Sequence, residues 1–148
     1  MYFTLIHQPD FTPALAHLPR TCARAPLVLY TGGAEARTFL DRILNAAGYE
    51  RPDEQLNLLE WPLDAPLDLI GLARHLESDR IICFGYDTAV LGIHISAQKY
   101  SPVTVTARTF LFAEPLTTIQ EAKRNGNNGP AGALWGALKS SFLFTPPN

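Results

Sequence analysis

Residues 79–92 read DRIICFGYDTAVLG, and this stretch decides the fold. From Ile81 to Phe84 the chain is an apolar run, and Arg80 to Phe84 reads as a buried strand. Gly85 breaks the run, and 86–91 is helix-compatible, with Asp87 or Thr88 placed to cap a first turn. A buried strand that passes through one glycine into a helix is the repeating unit of an α/β sheet.

The same pattern recurs upstream. LVLY at 27–30 is bounded by Pro26 and by Gly32 and Gly33, and reads as a central strand. Over 34–47 the residues Phe39, Leu40, Ile43, Leu44 and Ala47 fall at offsets of three and four, which predicts a helix closed by Gly48. A second strand is expected over 55–61 and a helix over 67–76, where Gly71 costs about 1 kcal/mol relative to alanine. Strands alternating with helices imply a parallel sheet. Downstream, 103–112 reads as one long strand or two short ones, 115–123 as a helix, NGNNGP as a loop, and 131–142 as a final helix opened by Pro130. The expectation is a single α/β domain over 1–148 with three layers, its mainly parallel central sheet of about four strands flanked by helices. Residues 1–26, with four prolines, form an irregular leader over the core, with one short helix near 13–18.

A chain of 148 residues can bury about 70% of the surface its unfolded form exposes, enough for one sizeable core. Its 47% apolar and 18% charged residues fit a globular chain, and no apolar run approaches the ~20 residues of a membrane helix. MYFTLIH lacks the features of a secretory signal, so the expected address is cytoplasmic, with no membrane partner. A net charge of −2 argues against a surface given over entirely to nucleic acid. Cys22 and Cys83 stand too far apart for a metal-binding spacing, and Cys83 reads as a small buried hydrophobe.

Two strand ends are candidates for ligand contact. Thr31, Gly32 and Gly33 precede a helix whose free N–H groups could cradle a phosphate, but the loop has neither the Gly-Lys-Ser/Thr ending of a P-loop nor a G-x-G-x-x-G spacing. Gly85, Tyr86 and Asp87 form the second junction, where capping is the simpler reading of Asp87. The histidines at 7, 17, 75 and 94 show no metal-ligand spacing, and no G-x-S-x-G elbow exists. No motif implies a cofactor, and none is expected. Phe110, Phe112, Trp135, Phe142 and Phe144 read as core, with base stacking as the alternative. Lys123, Arg124 and Lys139 would make a modest basic rim that could meet nucleic acid or simply face solvent.

Three segments, FLDRILNAAGY, IICFGYDTAVLG and KRNGNNGPAGALWGALKSSF, stand in an order and approximate spacing that resembles the uracil-DNA glycosylase-like fold superfamily. Within it the chain looks most like the non-catalytic psi subunits of bacterial DNA polymerase III. That resemblance implies replication partners, clamp-loader proteins among them. A glycosylase of this kind needs an acid or amide after the first strand and a late histidine loop to stabilise the departing base. Here the first loop reads TGGAEA, with Glu35 its only acid, and the late loop reads FAEPLT, with Glu114, Pro115 and Leu116 where the family carries His-Pro-Ser. The resemblance therefore implies a fold that holds nucleic acid, stripped of its chemistry, with an interaction role. The alternative is a nucleotide or single-stranded DNA binder, or an enzyme, using a cleft lined by Thr31, Gly32, Gly33, Gly85, Tyr86, Asp87 and Glu114.

Overall fold

The computed structural model describes residues 10–93, 96–105 and 107–141. His7, His94, Phe142 and Phe144 lie outside them. In chain order the elements are α1 (Thr12–His17), β1 (Leu27–Tyr30), α2 (Gly33–Ala46), α3 (Pro52–Gln55), β2 (Asn57–Glu60), α4 (Leu69–Leu76), β3 (Arg80–Phe84), β4 (Val103–Val105), β5 (Arg108–Ala113), α5 (Leu116–Arg124) and α6 (Gly129–Ser141). The sheet order is β2-β1-β3-β5-β4. Pairings β1–β2, β1–β3 and β3–β5 are parallel, and β4–β5 is antiparallel. The molecule is thus α/β with a mixed five-strand sheet flanked by helices.

Strand alternation divides the core cleanly in two. Val28, Tyr30, Ile82, Phe84, Leu111 and Ala113 face the layer formed by α2, α5 and α6. Leu27, Leu29, Ile81, Cys83, Phe110 and Phe112 face the layer containing α1 and α4. Because successive side chains point to opposite faces, a strand buried on both sides must be apolar throughout, and β1 is.

The helix ends follow local chemistry. At the end of α2, Gly48 (φ +105°) lets its own N–H reach the Asn45 carbonyl and the Tyr49 N–H reach that of Leu44, a Schellman closure. At the start of α4 the Asp68 carboxylate accepts from the Gly71 N–H at 3.0 Å. Any side chain at Gly71 would collide with that carboxylate and with the Phe11 ring, so the glycine that weakens the helix pattern is what permits the cap.

Four expectations are corrected. No helix follows β3 at 86–91: the backbone makes successive turns, and the Val90 and Leu91 carbonyls accept from Leu67 and Leu69 of a distant segment. Asp87 therefore caps a turn, with Oδ1 3.3 Å from the Ala89 N–H, rather than a helix. The sheet has five strands rather than about four, because 103–112 is divided by a reversal in which Ala107 takes φ +64°, turning β4 antiparallel to β5. The second strand spans only 57–60, since Pro52 starts the short helix α3 just before it.

The leader is tied down at the N-terminal edge of the sheet. Asn57 is fully buried, accepts from the Cys22 N–H at 2.7 Å and donates to the carbonyls of Cys22 and Ala25. Buried Ser78 donates to the Ala25 carbonyl at 2.6 Å. Among the described residues no helix is long and apolar enough to cross a membrane.

Candidate functional site

In an open α/β sheet the natural ligand crevice lies beyond the carboxyl ends of adjacent strands whose connections leave toward opposite faces. Here that place is between β1, followed by α2 on one face, and β3, whose following segment packs Tyr86, Leu91 and Ile93 on the other. Both candidate junctions from the sequence reach it. The start of α5 then fills the space between them.

Gly85 (φ +91°) donates its N–H to the Ala113 carbonyl at 2.7 Å, and a Cβ built on it would stand 2.6 Å from Pro115 Cγ. Gly32 (φ +124°) is in a similar position, with its added Cβ 3.3 Å from Thr117 Cγ2 and 2.7 Å from Ala36 Cβ. Gly33 (φ +73°) has open space around it. Gly85 and Gly32 thus meet Pro115 and Thr117, where the start of α5 enters above them.

Tyr86 closes the same region from the other side. Its ring is buried, and its hydroxyl lies 2.5 Å from the Trp61 carbonyl and 3.0 Å from the Tyr30 carbonyl. Burial pushes the phenol far above its ordinary range, so it is a fixed donor rather than an acid. Thr31 is half-buried at the end of β1. Glu114 is also half-buried and accepts from the Tyr100 hydroxyl at 3.0 Å. Burial and this contact push the Tyr100 phenol up to about 12.

A polar hollow of about 330 Å³ remains beside the plug, lined by Gly85, Tyr86, Asp87, Thr88 and Lys99 against Phe112 and Pro115. It gathers three of the predicted cleft residues. Thr31, Gly32, Gly33 and Glu114 do not line it.

A larger cavity, about 440 Å³, opens between α2, α5 and α6. Phe39, Ile43 and Ala46 come from α2 at offsets of four and three, Ile119 comes from α5, and Ala131, Leu134, Trp135 and Leu138 come from α6. Helical periodicity puts each set on one face, and the small side chains of Ala46 and Ala131 leave the space unfilled. Arg42, Lys123 and Arg124 also line it. Lys139 Nζ sits 5.4 Å from the centroid of the Trp135 ring, a cation–π distance. Arg124 donates to Glu35 Oε1 at 2.6 Å, joining the end of α5 to the start of α2.

The predicted rim of Lys123, Arg124 and Lys139 is therefore gathered around one groove. Phe39 and Ile43 belong to the apolar stripe of α2, and Arg42, which no sequence motif marks, lines the groove beside them. The signal for it in the sequence is a cation within that stripe, at the i+3 position from Phe39. Among the described residues no group of three His, Cys, Asp or Glu side chains could hold a metal ion.

Fold and site together define an α/β domain whose strand-end crevice is filled by its own chain and whose open apolar groove lies on a helical face. No protein-family model matches the chain, and a search of the curated proteins finds no match.

Proposed function

We propose that this chain is a non-catalytic, uracil-DNA glycosylase-like domain that works as a protein-interaction module, in the manner of the psi accessory subunits of bacterial DNA polymerase III. The observation that carries the reading is the occupied crevice. Tyr86, Pro115 and Thr117 fill the position where an α/β enzyme of this kind would hold substrate, while an apolar groove stands open elsewhere. The three segments that resemble the superfamily support the same direction, and the replacement of both catalytic loops supports a role without base excision.

The test is recovery of a tagged chain from its own cells. Replication or clamp-loader proteins should accompany it, and a clean monomer that recovers none of them overturns the reading. A uracil-containing oligonucleotide incubated with the chain should survive alkaline treatment intact; strand cleavage would restore the enzyme reading.

One observation favours a second reading. The polar hollow beside Asp87, Thr88 and Lys99 has the size of a small-ligand site. If it binds nucleotides or single-stranded DNA, a hundredfold excess over Kd should stabilise the fold by about 2.7 kcal/mol. A thermal-shift screen with nucleobases, nucleotides and short oligonucleotides reads this directly, and a flat screen rejects it.

A further inference from the structure

The groove between α2, α5 and α6 differs from an ordinary unpartnered apolar face because its charge has one sign. Its cations come from every wall: Arg42 from α2, Lys123 and Arg124 from α5, and Lys139 over the Trp135 ring from α6. Among the described residues no carboxylate lines it, and the neighbouring Glu35 is engaged by Arg124. This basic ring stands on a chain whose net charge is −2, so it is a local feature rather than a consequence of composition.

We propose that this groove docks an acidic, amphipathic segment of a partner protein, with apolar anchors in the groove and carboxylates on its rim. The inference rests on the interaction role proposed above and specifies the chemistry of the partner. Anchors at i, i+3, i+4 and i+7 of a helix are the usual way an apolar groove reads a partner, and surrounding charge of one sign selects its complement. Single-stranded nucleic acid fits the site less well. It calls for a succession of exposed aromatic platforms, and among the described residues the groove offers one half-buried tryptophan with a lysine over its ring.

The experiment is display of a randomised peptide library against the tagged full chain, followed by anisotropy titrations with the enriched peptides. Enriched sequences should combine aromatic or aliphatic anchors with Asp or Glu. Their affinity should fall about tenfold in the double variant Arg42→Glu/Lys123→Glu, which changes only exposed side chains. Trp135→Ala should cost about thirtyfold, the loss typical of an aromatic hot spot. Circular dichroism melts establish that each variant is folded, and if Trp135→Ala is not, the charge variant decides alone. Failure to enrich any peptide, enrichment without acidic residues, or affinity unchanged in the folded variants would each overturn the proposal. So would displacement of bound peptide by a thymidine oligonucleotide, or dimerisation of the chain that the same variants abolish; these assign the groove to nucleic acid or to a second copy. If the charge variant still recovers the cellular partners, the interaction role stands and only the groove loses its assignment.

Discussion

The Tyr86 hydroxyl lies 2.5 Å from the carbonyl oxygen of Trp61, joining the turn after β3 to the residue that follows β2, across the intervening β1. In Tyr86→Phe the Trp61 carbonyl loses this donor in a site closed to water. Removing one partner of a buried hydrogen bond costs about 1–3 kcal/mol, so urea denaturation should show a lower midpoint with an unchanged slope. A variant as stable as the natural chain would show that water reaches this carbonyl.

Glycine substitutions should divide sharply by position. Gly85→Ala forces a side chain into φ +91° and against Pro115, and should cost at least about 2 kcal/mol. Gly132 and Gly136 lie on the exposed side of α6 with open space around them, so alanine at either should stabilise by about 0.5–1 kcal/mol. Thermal melts of the three variants separate these signs.

Asn57→Ala should release the leader. Its amide holds both backbone groups of Cys22 and the Ala25 carbonyl; alanine leaves the Cys22 N–H without its partner and removes one of two donors from each of the Cys22 and Ala25 carbonyls, which keep the Ala25 N–H and the Ser78 hydroxyl. A loss of about 2–4 kcal/mol is expected, from more than one broken bond. Limited proteolysis should cut first within residues 10–26, where the tether acted, rather than at the loop after α5.

Alkaline pH should unfold the chain. Burial raises the Cys83 thiol and the phenols of Tyr49, Tyr86 and Tyr100, the last to about 12. All four lose protons more readily when unfolded, so their contribution is complete below their ordinary values of about 9–10 and is lost as pH rises through the elevated folded ones. Urea midpoints should fall steadily above about pH 9. Ellman's reagent should find Cys22, which is half-buried, well before the fully buried Cys83.

Much of the fold was legible because buried parallel strands leave an unbroken apolar signal. LVLY and RIICF are strands β1 and β3 with the bounds read from sequence, and Gly48 ends α2 as its position implied. What escaped depended on contacts between distant residues. The segment after Gly85 has the composition of a helix, yet the Tyr86 hydroxyl and the bonds to Leu67 and Leu69 hold it in turns. Nothing in the local sequence singles out Asn57, whose role depends on Cys22 being brought against it from 35 residues away. The groove was half legible: Lys123, Arg124 and Lys139 stood out as a charge cluster, but only the packing of α2 beside α5 and α6 brings Arg42 to them.

Helix α5 is nine residues long, about 13.5 Å from end to end. Its first turn and the proline before it lie over the two glycine junctions, and its last turn forms a wall of the basic groove. The two regions therefore lie at opposite ends of one helix, seated on the sheet through Leu116 and Ile119. Pro115 before the helix closes on Gly85, and Lys123 and Arg124 at its far end wall the groove, so one nine-residue helix is shared by the strand-end crevice and the basic rim.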